Sequence, residues 1–413
     1  MQKHSYDAAE KFILSREFFG MKLGLDNIRE FLENIGAPQK KYKTIHIAGT
    51  NGKGSTASMF ASVLQKQGYK TGLFTSPHLV TLRERASVNG RIIPKSSVVR
   101  FIDKYRKILA ERKLSFFELT TAMALDHFAH SKVDIAVIET GLGGRLDATN
   151  VLNPILTITT DISKDHMEIL GSTIPKIAKE KAGIIKPNTD HLIGMLPEKA
   201  AVVIKKRCKE LHAPLHQIRK KDFNFEWEKL SITSNLDNLK FHSLSPSLVG
   251  THQLKNSALV LKGCQILKEN GLKITKKAVK DGIENTVWRA RFQIVQKANK
   301  PLHIFDVRHN FKGVESFVKS VQLKFPGKKA YVITGFVKRK EHQKIFHLLA
   351  KISLQYNIVP LSTKRSTDIN ELIRSIDFKN VPVKKYGRLE TAYKSVVKTS
   401  SNADIIIVIG SHY

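Results

Sequence analysis

Cysteine is nearly absent from this chain. Cys208 and Cys264 are the only two among 413 residues, and their spacing suits neither a metal cage nor a disulfide framework. No apolar run is long enough to span a bilayer, and Met1–Asp7 lacks the apolar core of a signal peptide. Internal repeats and low-complexity runs are also missing. These absences argue against a disulfide-stapled secreted module, a membrane protein and a solenoid. They lead to the expectation of a cytoplasmic protein with no membrane partner. Acidic residues are scarce relative to basic ones: 36 Asp and Glu against 69 Lys and Arg leave a net charge of +33. That excess fits a lysine-rich compositional bias, anionic substrates or a nucleic-acid partner. The basic residues recur along the whole chain, as in Arg219-Lys-Lys221, Lys338-Arg-Lys340 and Lys384-Lys385, and form no single basic arm. Specific nucleic-acid binding is therefore not expected.

What remains is an ordinary globular composition, 41% hydrophobic and 25% charged, in a chain long enough for two or three cores. Residues 6–36 read as two amphipathic helices, with Phe12, Ile13 and Phe18, then Leu25, Ile28, Phe31 and Leu32. Strand patterns follow at Thr44–Ala48, Lys70–Thr75, Ile135–Glu139, Ile155–Thr160 and His191–Met195. Helical spacing lies between them at Thr56–Gln67, Ser97–Glu111, Glu118–His130 and Thr173–Gly183. Such alternation predicts a mainly parallel sheet covered on both faces. Phe223, Phe225 and Trp227, followed by Leu230–Thr233 and Leu239–Leu244, predict a small antiparallel sheet appended to it. A second series has strands at Leu302–Asp306, Ala330–Thr334, Ile358–Leu361 and Ile405–Ile409. Its helices fit Lys312–Leu323, His342–Ser353, Asp368–Ser375 and Leu389–Thr399. The polar stretch Asn285–Lys300 separates the two series, so domains of 1–287 and 288–413 are expected.

The most specific local signal is His46-Ile-Ala-Gly-Thr-Asn-Gly-Lys-Gly-Ser-Thr56. A strand runs into a turn permitted by Gly49, Gly52 and Gly54, and a helix follows. Backbone N–H groups of such a turn converge on one point in front of a helix N-terminus, which suits phosphate. Lys53 adds a positive charge, and the Ser55 and Thr56 hydroxyls lie near any bound Mg²⁺. The pattern is G-x-x-G-K-x-[ST], not the general G-x-x-x-x-G-K-[ST]. Glu139 ends an apolar strand ahead of a glycine-rich turn, where α/β proteins bind ligands, although a cap or ion-pair role is the plainer alternative.

Further elements follow in order. They are Ser76-Pro77-His78-Leu79, Glu139-Thr-Gly-Leu-Gly-Gly-Arg-Leu-Asp-Ala-Thr-Asn150, Asp165-His166 and Glu180-Lys181-Ala-Gly-Ile-Ile-Lys186. With the glycine loop they resemble folylpolyglutamate synthase/dihydrofolate synthase, a branch of the Mur ligase superfamily. The resemblance implies a P-loop-type ATPase domain with a mainly parallel sheet, followed by a smaller Rossmann-like α/β domain. It also implies a monomer that uses ATP to join L-glutamate to dihydropteroate or a folate through an acyl phosphate. The segment ahead of the loop is too short for the nucleotide-sugar domain of the peptidoglycan branch.

By this resemblance Gly49, Thr50, Asn51, Gly52, Lys53, Gly54, Ser55 and Thr56 cradle the nucleotide phosphates. Ser76, Glu139 and His166 correspond to Mg²⁺ ligands, with two Mg²⁺ sites expected. Lys181 corresponds to a lysine carried as a carbamate, which requires burial to lower its pKa. Lys53, Lys181, His166 and Glu139 form the expected catalytic set. Ser76, Pro77 and His78, Arg83 and Arg85, and Phe116-Phe117 correspond to the substrate side. Without the resemblance, the two phenylalanines suit a core as well as a heterocycle pocket, and the two arginines suit a solvated surface as well as substrate carboxylates. Asn256, Arg291, Asp306 and His309 correspond to the remaining nucleotide contacts.

This chain departs from the family pattern at several of these elements. Ala290 replaces the glycine of W-x-G-R, and Val307-Arg308 replaces the two small residues of D-G-A-H-N. Lys338-Arg-Lys-Glu341 stands where D-K-D is usual, and the chain stops at Tyr413, where relatives usually continue. Two rival readings follow from these features. One is a nucleic-acid-dependent P-loop ATPase, suggested by the charge. The other is a catalytically reduced relative acting as a binding protein, suggested by the altered Asp306–Asn310 element.

Overall fold

The computed structural model of the chain describes residues 5–19, 24–338, 341–363, 365–376 and 381–411. The side chain of Phe18, Arg339 and Lys340 of the altered D-K-D element, and His412 and Tyr413 lie outside the described part. The chain divides into two compact units. The first comprises Met1–Asn224, Ile232–Ser245 and Lys255–Thr286; the second comprises Phe225–Ser231, Pro246–Leu254 and Val287–Tyr413.

The strands of the first unit's main sheet are β1 (Lys43–Ala48), β2 (Thr71–Phe74), β3 (Ala86–Val88), β4 (Arg91–Ile92), β5 (Ile135–Glu139), β6 (Leu156–Thr159), β7 (His191–Ile193) and β8 (Leu215–Gln217). Their order is β4-β3-β2-β5-β1-β6-β7-β8. Pairing is parallel from β2 to β8, and β3 and β4 add antiparallel at one edge. β1 and β5 lie inside the sheet, and β5 is buried along its whole length. The apolar run Ile135-Ala-Val-Ile138 is what a strand covered on both faces requires, and β1 meets the same burial with Ile45, Ile47 and Ala48 beside buried Thr44 and His46.

The helix Phe116–His130 is buried on most sides. It opens with a capping box in which Ser115 and Glu118 satisfy each other's backbone N–H groups. The expected single helix over Ser97–Glu111 is two, Lys95–Lys104 and Arg106–Glu111. They meet at Tyr105, whose non-helical backbone accompanies a 2.9 Å hydrogen bond from its hydroxyl to buried Asp126. Helices at Glu198–Glu210, Thr251–Glu269 and Lys276–Glu284 add to the expected set. The small sheet is present as β9 (Phe223–Glu226), β10 (Ser231–Leu236) and β11 (Leu239–Leu244), in the order β11-β10-β9.

The second unit's sheet comprises β12 (Gln293–Val295), β13 (Leu302–Asp306), β14 (Ala330–Gly335), β15 (Ser353–Ile358), β16 (Val383–Lys385) and β17 (Ile405–Gly410). They run in the order β12-β13-β17-β14-β15-β16. Only β12 is antiparallel to its neighbour. The strand expected at Ile358–Leu361 instead ends at Ile358, and the preceding helix stops at Ala350 rather than Ser353. Polar Ser353, Gln355 and Asn357 hid the start of β15. Asn357 is nevertheless buried, where it accepts a 2.8 Å hydrogen bond from Gln355 Nε2. Pro360, which lacks an N–H, cannot extend the ladder.

Candidate active site

The C-terminal edge of four adjacent strands, β2, β5, β1 and β6, gathers the motifs of the first unit. Ile47 of β1 is in register with Glu139 of β5, and Phe74 of β2 with Ile138. The residues just past these strand ends are therefore neighbours: Ser76 after β2, Gly49 after β1 and Thr160 after β6. Such an edge is where open parallel sheets bind ligands.

The glycine loop leads into the helix Lys53–Lys66. Gly52 caps that helix at φ +86°, and a β-carbon there would stand 2.5 Å from Asn256 Oδ1. Asn256 is thus brought against the loop. At Gly49 a β-carbon would lie 1.9 Å from Thr160 Oγ1. Both positions require glycine because a neighbour occupies the space. Lys53 folds back over the loop and donates to the carbonyls of Gly49 (3.1 Å) and Thr50 (3.3 Å). Ser55 and Thr56 are closed to solvent, and the Thr56 hydroxyl has no hydrogen-bond partner.

Lys181, on the helix Ile174–Ala182, is 3% exposed and donates 2.8 Å to the same Gly49 carbonyl as Lys53. Burial, then the neighbouring Lys53 charge, lowers its pKa to about 7; Asp161, Asp165 and Asp147 oppose that shift. A far larger share of this amine is neutral at pH 7 than of a free lysine, for which the neutral share is roughly one part in a few thousand. Glu139 is 4% exposed, and its Oε2 accepts the Ser76 N–H at 3.2 Å. The Ser76-Pro77 peptide is cis. Ser76 and Glu139 are therefore together, and Lys53, Lys181 and Gly49 are together. His166 stands at the exposed start of the short helix Met167–Leu170, with its N–H on Asp165 Oδ1 at 3.0 Å. Among the described residues no three His, Cys, Asp or Glu side chains form a ready metal cage. The donors available are a hydroxyl, a carboxylate and an imidazole. This oxygen-rich set suits a hard cation such as Mg²⁺.

The residues expected on the substrate side form a second group. Phe116 and Phe117 pack on the core but remain partly exposed. A β-carbon at Gly141 would meet the Phe117 ring at 2.4 Å, so this glycine makes room for the ring. The Arg85 guanidinium lies 5.0 Å over Phe116 and donates through Nε to His78 Nδ1 at 3.0 Å. His78 therefore carries its proton on Nε2, and burial, then Arg85, lowers its pKa. Arg85 is 8% exposed, which is not a solvated surface position. Arg83 donates to the Ile93 carbonyl at 3.3 Å. Glu84 gathers the N–H groups of Leu79, Val80 and Thr81 and so shapes the segment after Pro77.

Two supports were missed in the sequence. The segment after β6 straps the glycine loop. Thr160 donates to the Asn51 carbonyl (2.7 Å), the Asp161 carbonyl takes the Thr50 N–H (2.7 Å), and Asp161 Oδ2 and Ser163 Oγ accept from Asn51. Residues more than a hundred positions apart meet here, and no local pattern announces it. The other support is a buried chain in which His46 Nε2 donates to Thr149 Oγ1 (2.8 Å) and Thr149 to Asp147 Oδ1 (2.5 Å). Asp147 also takes the Leu142 N–H at 2.7 Å, which ties down the turn after Glu139. Here the Asp-x-Thr spacing was a readable cap signal.

In the second unit, Arg291 is half-buried in the turn before β12. Asp306 ends β13, and His309 follows with its Nδ1 3.2 Å from the Val307 carbonyl.

Comparison with known proteins identifies the family. The chain matches the Mur ligase middle domain over residues 47–262 and the Mur ligase glutamate ligase domain over residues 290–412. It belongs to the Mur ligase family. The dihydrofolate synthase/folylpolyglutamate synthase of Bacillus subtilis is 32% identical over 99% of this chain and 97% of that protein. A folylpolyglutamate synthase crystal structure from Thermotoga maritima superposes with a TM-score of 0.85 at 33% identity, covering 99% and 95% of the two chains. The Escherichia coli enzyme FolC, solved with DHPP and ADP, gives a TM-score of 0.82 at 27% identity over 98% and 95%. These relatives place this Mur ligase family member in the folylpolyglutamate/dihydrofolate synthase branch, and the expected two-part α/β architecture is the observed one.

Proposed function

We propose that this ligase adds L-glutamate to dihydropteroate, to a reduced folate, or to both, at the expense of ATP. The observation that carries the reading is the pair of amines, Lys53 and Lys181, on the Gly49 carbonyl of a phosphate loop, beside buried Glu139 and the Ser76 N–H it accepts. Relatives add support. FolC of Escherichia coli was solved with DHPP and ADP. The Yersinia pestis bifunctional enzyme, 25% identical with a TM-score of 0.85, was solved with Mn, AMPPNP and L-glutamate.

A carboxylate resists amide formation because its leaving group would be oxide. In the proposed reaction a carboxylate oxygen of the pterin substrate attacks the γ-phosphorus of ATP and ADP departs. The glutamate amine, after losing a proton, then displaces phosphate from the acyl phosphate. The chain's task is to position reactants and neutralise charge. The N–H groups of residues 49–55 and the Lys53 ammonium hold the phosphates. Phe116 and Phe117 offer partly exposed ring faces to a flat heterocycle, and Arg83 and Arg85 offer cations to substrate carboxylates. Asn256, Arg291 and His309 serve the nucleotide directly, and Asp306 stands behind Arg291. Ser76, Glu139, His166 and a carbamate on Lys181 would hold Mg²⁺ at two sites. Bound there, Mg²⁺ supplies charge neutralisation at the transferring phosphoryl group. CO₂ adds to a neutral amine, and Lys181 supplies one. The reading takes the protein to act as a cytoplasmic monomer.

The test is phosphate release with each combination of dihydropteroate, tetrahydrofolate and glutamate. Release should require one pterin substrate and glutamate together. ATP turnover with RNA alone, indifferent to both substrates, would refute the ligase reading. ¹³C NMR of protein equilibrated with labelled bicarbonate tests the carbamate directly.

A further inference from the structure

The altered D-G-A-H-N element does not leave Asp306 open to a ligand. The Asp306 side chain has 0% exposure, and both its oxygens are engaged. Oδ2 accepts the Phe292 N–H at 2.8 Å; Oδ1 accepts the Arg308 N–H at 2.9 Å and faces Arg308 Nε at 3.5 Å. Arg308 stands where the family pattern has a small residue. It is 8% exposed, and its Cβ and Cδ pass close to Gly313, at the start of the helix Phe311–Lys324. Its Nη2 donates to His252 Nε2 at 2.7 Å. That fixes the His252 proton on Nδ1, 2.8 Å from Ser316 Oγ. The guanidinium therefore seals the carboxylate from one side.

The carboxylate's other engagement points to its role. Phe292 ends the turn Trp288–Phe292, and its ring is buried against Phe317, with centroids 5.2 Å apart. Ala290 and Phe292 both hold left-handed backbone, at φ +53° and +50°, and Arg291 lies between them. The neighbouring Val307 N–H donates to the Ala290 carbonyl at 3.1 Å. Asp306 and Val307 thus grip the residues on either side of Arg291. Left-handed backbone is unfavourable for residues other than glycine, so such a turn persists only when its surroundings hold it.

We propose that Asp306 is a positioning residue in this chain: it touches no nucleotide and acts on nucleotide binding through Arg291, while Arg308 is the counter-ion that locks it in that role. The inference rests on the reading of Arg291 as a nucleotide ligand.

The test is a double-mutant cycle on the full-length protein with Mg²⁺. ATP affinity is measured by calorimetry, and KM for ATP and kcat by phosphate release with both substrates. Arg291→Ala should weaken ATP about tenfold or more, as expected for loss of a charge-assisted hydrogen bond. Asp306→Asn should weaken it comparably, raising KM more than it lowers kcat. In the Arg291→Ala background Asp306→Asn should add nothing, because the side chain through which it acts is gone. A multiplicative loss in the double variant, with Arg291→Ala alone still harmful, would overturn the proposal and make Asp306 a direct ligand. No effect of Arg291→Ala would overturn it too, by removing the reading of Arg291 on which it rests. If Asp306→Asn does not fold, Arg308→Gln takes its place in the cycle. The glutamine keeps a donor for His252 and removes the charge, and the same non-additivity with Arg291→Ala is expected.

Discussion

Replacing Lys181 by methionine should stabilise the fold at pH 7 while nearly abolishing turnover. The amine is 3% exposed, and its pKa falls from 10.5 to about 7. At 1.36 kcal/mol per unit, that shift corresponds to a burial cost on the order of 5 kcal/mol when the group must be protonated. The sign follows from proton binding. Between pH 7 and 10.5 the unfolded lysine holds a proton that the folded one has released, so wild-type stability rises with pH by about 1.4 kcal/mol per unit. Below pH 7 both states are protonated and the cost is constant. Methionine has no such dependence and gives up only the hydrogen bond to Gly49. The advantage of Lys181→Met should therefore be a few kcal/mol at pH 7 and fade towards pH 10. Urea unfolding in CO₂-free buffer measures it. Bicarbonate with Mg²⁺ should then stabilise the wild type and not the variant, since only the wild type can form a carbamate. A variant less stable than wild type at pH 7, or an advantage that ignores pH, would refute the reasoning. So would an active Lys181→Met enzyme.

Lys53→Ala and Glu139→Gln should each lower turnover by on the order of 10²-fold or more, with unchanged circular dichroism; wild-type phosphate release by either would remove its assigned role. Ala290→Gly should stabilise the second unit by up to about 1 kcal/mol in thermal unfolding, because glycine accepts the φ of +53° at lower cost; destabilisation would count against the strained turn. His46 and His191 are buried neutral, with pKa values near 3. Below pH 6.5 the unfolded chain binds protons that these two refuse, so stability should fall as pH drops towards 3, by about 1.4 kcal/mol per unit for each. Unfolding at pH 5 with no net proton uptake would contradict this.

Much of the candidate site was legible because its parts are short and local. The glycine loop is a strand, three glycines and a helix within about a dozen residues, and hydrogen-bond geometry dictates the spacing. Alternating apolar strands and helices declared two mainly parallel sheets, because strands buried on both faces are mostly apolar. Three things were settled only by the tertiary structure. Lys181 reads as one more lysine in a basic helix until the fold buries it beside Lys53, and its lowered pKa is a property of that surrounding. Arg85 could have been a solvated cation until packing set it over Phe116 against His78. Asp306 reads as a ligand by its motif, yet its oxygens are spent on Phe292 and Arg308, a residue that the motif does not contain. Sequence determines what a residue can offer and, over a few turns of chain, how it is presented. Burial and partners come from segments far away along the chain, here Thr160–Ser163 on Gly49–Asn51 and His252 on Arg308, and these decide what the residue is free to do.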